Sequence, residues 1–248
     1  MKAFALAARL LTILPAPGAP EEPDPDALAA SVARFPLVGL ALGALLVVLD
    51  AVLGAFLPEA ARAGVLVVSL AALTGGLHLD GLSDLADGVG GGADPESRLR
   101  IMKDSACGPM GVMAIASVLL LKFAALLSLP EEGRWSALFL APTLGRAAMA
   151  HVLTSLPYAR PEGGTGEAFA GAASPAEGYA AIGWAGAASL LLGFGGGVLV
   201  AFLAALLTLG LVRFLNRMLE GATGDAYGAV CEIVETAALL MFAAWWGA

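Results

Sequence analysis

Charge is what this chain of 248 residues has least of: Asp, Glu, Lys and Arg make up only 14% of it. A soluble domain would carry about a quarter, so a water-surrounded globule is a poor fit. Cysteine is nearly absent. Cys107 and Cys231 stand alone, with no CxxC pair and no zinc spacing, and they read as free thiols rather than a disulfide framework. Positive charge is scarce too, with 13 Lys and Arg against 21 Asp and Glu and a net charge of −8. So few cations cannot neutralise a run of phosphates, which argues against nucleic acid as a partner.

What fills the chain instead is apolar. The residues A, V, I, L, M, F, W, Y and C account for 59% of it, and the mean hydropathy is +0.84. The solvent that suits this composition is a lipid bilayer. The first residues imitate a signal peptide, but Arg9 interrupts their apolar run. They read better as a short amphipathic helix at the membrane surface. A span needs roughly 20 mostly apolar residues, with about 17 as the lower limit. Seven stretches qualify or nearly qualify: Pro36–Leu57, Ala63–Leu79, Pro109–Leu129, Trp135–Ser155, Gly178–Phe194, Val198–Leu215 and Ile233–Ala248. Gly195-Gly196-Gly197 separates the fifth and sixth as a tight turn, and Trp245-Trp246 closes the seventh as an interfacial anchor. The expected fold is all-α: a polytopic transmembrane helical bundle of about six to seven spans, one membrane domain over residues 1–248.

Threading the chain through these spans puts the N-terminus and loops 80–108, 156–177 and 216–232 on one side. Lys2, Arg9, Arg34, Arg98, Arg100, Lys103, Arg160, Arg213 and Arg217 fall there, against only Arg62 and Arg134 on the other. The positive-inside bias makes the first side cytoplasmic. All long polar loops then face the cytosol, as in an enzyme acting on cytosolic substrates. No internal repeat of the kind transporters carry is apparent.

Asp80, Asp84 and Asp87 follow the second span at i, i+4 and i+7. On a helix they project within roughly 60° of one another. Three carboxylates on one face repel unless a cation sits between them. All-oxygen ligands suit magnesium, manganese or calcium, and magnesium often borrows a substrate phosphate as ligand. Behind a glycine run, Asp94 is placed to cap a helix opened by Pro95. Arg98, Arg100 and Lys103 then offer cations to clamp phosphates, or to anchor anionic lipid headgroups. Asp104 is a further ligand or a base.

A second acidic group stands near the C-terminus. Asp225 and Glu232, seven apart, share a helix face, and Glu235 follows a turn later. Charge inside a bilayer is costly, so such groups face a bundle interior. Arg146, within the fourth span, is expected to pair with a buried carboxylate or to point into the cytoplasmic cavity. Lys122 and Asp50 are candidates to pair with each other, and His151 reads as an ordinary interior histidine. Loop 156–177 is either a lid or a plain connector. Arg160 is its only cation and the natural phosphate contact.

Four stretches resemble the cobalamin synthase family, the adenosylcobinamide-GDP ribazoletransferases. They are Leu11–Pro15; Phe35–Gly39; Gly75–Gly81 through Asp84 and Asp87 to Ile101–Ser105; and Thr223-Gly224-Asp225 with Gly228, Glu232 and Glu235. Tyr158-Ala159-Arg160 also fits, so the likeness covers nearly the whole chain. The resemblance implies an inner-membrane transferase of cobalamin biosynthesis. It would join adenosylcobinamide-GDP to α-ribazole or its 5′-phosphate, release GMP, depend on Mg2+, and leave a homo-oligomer open. It gives Asp80, Asp84 and Asp87 the metal, and it makes Asp104, Asp225 and Lys103 catalytic candidates. Arg98, Arg100, Ser105, Arg146, Arg160, Thr223 and Glu232 become substrate-binding candidates. One departure is visible: the family usually has a second glycine where this chain has Glu220. Two rivals remain. A CDP-alcohol phosphatidyltransferase would carry an alanine-arginine pair inside the aspartate run, and Gly81–Asp87 contains no arginine. A divalent-cation carrier would spread its carboxylates through membrane depth.

Overall fold

In a computed structural model of the chain, residues 2–247 are described, apart from Pro161, Thr165 and Phe194. Among these residues there are twelve helices and no strand. An amphipathic α1 (Lys2–Leu11) and a short α2 (Pro25–Val32) precede α3 (Phe35–Leu53), α4 (Glu59–Leu73), α5 (Leu77–Gly91) and α6 (Pro95–Ile101). Then come α7 (Pro109–Ser128), α8 (Glu131–Ser155), α9 (Glu167–Ala172), α10 (Pro175–Leu192), α11 (Gly197–Leu219) and α12 (Gly224–Gly247). The polytopic helical bundle is as expected, but its spans divide differently. Among the described residues, α3, α7, α8, α11 and α12 are long and apolar enough to cross a membrane.

The second expected span is broken. Gly75 and Gly76 both take positive φ, 62° and 72°, which glycine tolerates at little steric cost. The chain therefore turns by 87° between α4 and α5, and the two qualify as a span only together. The fifth expected span lies in α10, which falls short of a span because Pro175-Ala176-Glu177-Gly178-Tyr179 dilutes its apolar run. The seventh begins earlier than expected, at Gly224, so Asp225, Glu232 and Glu235 all belong to α12.

Helix α8 is the central pillar and touches α3, α10, α11 and α12. At one end of the bundle Gly133 packs on Trp246 and Gly196 on Trp245. At the other end the three long loops meet. The Arg98 Nη1–H donates to the Met218 carbonyl at 3.0 Å, Lys103 pairs with Glu162, and Tyr158 bridges to Ala222.

Inside the bundle the charges pair, as a low-dielectric interior demands. Lys122 Nζ lies 2.7 Å from Glu232 Oε2 and also contacts Glu235, which in turn pairs with Arg146. The expected Lys122–Asp50 pair does not form. Asp50 sits near the end of α3, where Arg62 from the start of α4 reaches it at 3.3 Å and Arg134 at 3.7 Å. Glu59 also pairs with Arg134, so two carboxylates balance the two cations of that end.

Candidate active site

The bend at Gly75 and Gly76 swings α5 across the start of α12. A Cβ on Gly81 would lie 2.5 Å from the Asp225 carbonyl oxygen, so only glycine admits this approach. It brings two acidic groups, remote in sequence, into one electrostatic neighbourhood: Asp225, Asp80 and Asp87 all act on Asp84. Asp80 is exposed and Asp84 half-buried. Asp87 is differently employed. Its two oxygens accept the Gly108 N–H at 2.7 Å and the Gly111 N–H at 2.9 Å, capping the start of α7.

Opposite stands Asp225 in the first turn of α12. Its Oδ2 accepts from Arg160 Nη2 at 2.6 Å, and the Thr223 hydroxyl reaches it at 3.5 Å. The same Arg160 nitrogen donates to the Met102 carbonyl at 3.3 Å, so one guanidinium ties loop 156–177 to the end of α6. Thr223 is fully buried, and its Oγ1 accepts the Ala226 N–H at 3.3 Å as a helix cap.

Arg160 faces an open cleft of about 800 Å³, lined also by Arg100, Lys103 and Tyr158 and by the carboxylates of Asp94, Glu96, Glu162 and Glu220. Burial pushes the Tyr158 phenol above its usual pKa. Asp225 lines a second, narrower cavity together with Asp80, Tyr227 and Phe169. The ion pair thus stands where a wide cleft of mixed charge meets a narrower, mostly apolar one.

The remaining candidates scatter. The Arg98 guanidinium is committed to the Gly92, Met218 and Ala93 carbonyls at 3.1, 3.0 and 3.2 Å, as a clasp on the α11 end. Asp94 caps α6 as expected; the Ser97 N–H it accepts at 2.8 Å holds its carboxyl below the usual range. Asp104 is exposed and accepts the Ala106 N–H at 3.0 Å, and Ser105 is exposed beside it. Arg146 and Glu232, 0% and 4% exposed, belong to the buried ion network rather than to either cleft. Tyr227 was not singled out from sequence. Its position two residues after Asp225, at a glycine-rich helix start, was the available signal.

For a divalent ion the donor chemistry fits: Asp80, Asp84 and Asp225 bring anionic oxygens together at a partly open site. As they stand, no three His, Cys, Asp or Glu side chains among the described residues are arranged to hold one.

Known proteins resemble the chain over nearly its whole length. A Pseudomonas fluorescens protein named adenosylcobinamide-GDP ribazoletransferase is 43% identical over 241 residues, covering 97% of this chain and 98% of its own length. Proteins of the same name from Roseiflexus sp. and Syntrophobacter fumaroxidans are each 42% identical, over 94% and 97% of this chain and 86% and 97% of their own lengths. No solved structure matches. The family model described as cobalamin-5-phosphate synthase matches residues 3–243, from α1 through most of α12, and therefore takes in both acidic helices and the loop that joins them. On that extent of agreement, the chain belongs to the cobalamin-5-phosphate synthase family.

Proposed function

We propose that this protein joins adenosylcobinamide-GDP to ribazole, or to ribazole phosphate, with release of GMP. The observation that carries the reading is the Arg160–Asp225 pair, set between an open cleft of mixed charge that holds Arg100 and Lys103 and a narrower, mostly apolar cavity. A pyrophosphate donor suits the cleft, where Arg100 and Lys103 face it. The acceptor hydroxyl then approaches from the Asp225 side. Its oxygen bonds to the cobinamide-side phosphorus as the bond from that phosphorus to the GMP oxygen breaks. Asp225 takes the proton, and Arg160 meets charge on the phosphate oxygens. Asp225 suits this part better than Asp104, which points into solvent on the loop after α6.

Magnesium bound by Asp80 and Asp84, with Asp87 behind them, would neutralise charge on the pyrophosphate and the leaving GMP. On the threading read from the sequence, nine cations fall on the side of these loops and the N-terminus, against two on the other. That bias supports an inner-membrane protein with its active end toward the cytoplasm. The clustering of Asp80, Asp84, Asp87 and Asp225 at one end, with the deeper Glu232 and Glu235 matched by Lys122 and Arg146, speaks against a carrier.

The test is incubation of purified, folded protein with adenosylcobinamide-GDP, ribazole and magnesium. GMP release dependent on all three is expected. Its absence, in a sample with an intact thermal transition, sinks the proposal.

A further inference from the structure

The narrower cavity has a character the phosphate chemistry does not require. Its inner space is small, about 90 Å³, and it opens outward to solvent. Phe35, Met149, Leu153 and Phe169 wall it with apolar surface, and the Phe35 and Phe169 rings lie 6.5 Å apart at a tilted 53°. Such a wall repels phosphate and suits a flat hydrophobic ring. Phe169 comes from α9, so loop 156–177 supplies the outer wall as well as Arg160.

Two polar side chains line the cavity without a partner. Tyr227 is 3% exposed and its hydroxyl has no hydrogen bond; His78 is fully buried and neither ring nitrogen has one. Buried polar groups are almost always satisfied, so each asks for a ligand or water. At the rim stand Asp80 and Asp225, the carboxylates given to metal and proton transfer above. A molecule filling this space would have an aromatic, hydrogen-bonding body inside and a hydroxyl at the Asp225 end.

We infer that this cavity seats the heteroaromatic base of the acceptor nucleoside, with the Tyr227 hydroxyl donating to its free ring nitrogen. A benzimidazole has a flat apolar face and one unsubstituted ring nitrogen that accepts. Its ribose, carried outward, meets Asp225. The assignment rests on the proposed reaction for the acceptor's identity, and it adds a division of labour: the wide cleft takes the phosphate-bearing donor and the narrower cavity the base.

The test separates the two substrates. Tyr227→Phe removes one hydroxyl and keeps the ring. It is expected to raise the KM for ribazole about tenfold, the size of one hydrogen bond, and to leave the KM for adenosylcobinamide-GDP unchanged. Leu153→Phe, which fills the cavity, is expected to abolish binding of free dimethylbenzimidazole in calorimetry. That binding needs no turnover, so it reads the cavity even if GMP release fails. An unchanged ribazole KM in Tyr227→Phe, an equal rise in both KM values, or dimethylbenzimidazole binding that survives Leu153→Phe would each overturn the inference. Wild-type activity together with any of these leaves the proposed reaction standing without the subsite.

Discussion

Arg160 Nη2 stands 2.6 Å from Asp225 Oδ2 across 65 positions of sequence, and this contact joins the loop over the site to the helix beneath it. Asp225→Asn keeps the shape but gives up the proton acceptor. GMP release is expected to fall about 10²- to 10⁴-fold, the usual range for loss of a general base. Asp104→Asn is expected to change it little. Steady-state assay of both variants decides which aspartate accepts the proton.

The acidic trio on α5 should divide under mutation. Asp80→Asn and Asp84→Asn are expected to raise the magnesium concentration needed for half-maximal activity. Asp87→Ala removes the acceptor for the Gly108 and Gly111 N–H groups. Its expected effect is a stability loss of about 1 kcal/mol, typical of a lost cap, read from thermal unfolding. A magnesium requirement shifted equally by all three would place Asp87 with the other two around the ion.

Gly81→Ala tests whether the approach of α5 to α12 matters for chemistry. The added methyl would meet the Asp225 carbonyl at 2.5 Å and push the two helices apart. A displacement near 1 Å can cost about 10²-fold in rate. Gly183→Ala, where a Cβ meets nothing within 4 Å, serves as the control and is expected to be silent.

The sequence carried the bundle, and the places where it fell short share a cause. Hydropathy located the apolar runs but could not see the corner at Gly75 and Gly76, because a bend depends on two dihedral angles and not on polarity. Spacing put Asp80, Asp84 and Asp87 on one face correctly, yet it could not show that Asp87 spends its oxygens on the start of α7. Arg146 could be read as the partner of a buried carboxylate or as a ligand, and Glu232 as a ligand, because a charge in an apolar run looks the same whether it waits for substrate or for a partner. Only the packing of α7, α8 and α12 shows the partners. Tyr227 was invisible for the opposite reason, being uncharged in an apolar helix.

Lys122→Met leaves Glu232 unpaired in the interior and strips Glu235 of one of its two cations. Breaking a buried pair from one side costs about 3–5 kcal/mol. A large drop in unfolding temperature is expected, recovered in part when Glu232→Gln is added. No recovery in the double variant would mean that the lysine acts through packing rather than charge.

Glu220 is the one non-glycine with positive φ among the described residues, at 56°, and it ends α11 in the left-handed conformation. That is where relatives were expected to carry glycine. Glu220→Gly should relieve about 1 kcal/mol of backbone strain and raise the unfolding midpoint. An unchanged or lowered midpoint would mean that the carboxylate earns its place in the cleft it lines.

The buried ion network also sets an order of events during synthesis. Its cations sit on α7 and α8, while both balancing carboxylates sit on α12, the last helix to be made. Until α12 arrives, Lys122 and Arg146 have neither Glu232 nor Glu235, each at a cost of about 2.5–3.5 kcal/mol near the bilayer centre. The nascent protein is thus held in an electrically unfinished state from the making of α7 until that of α12. Completion of the C-terminal helix closes that circuit and, in the same movement, delivers Asp225 to the site.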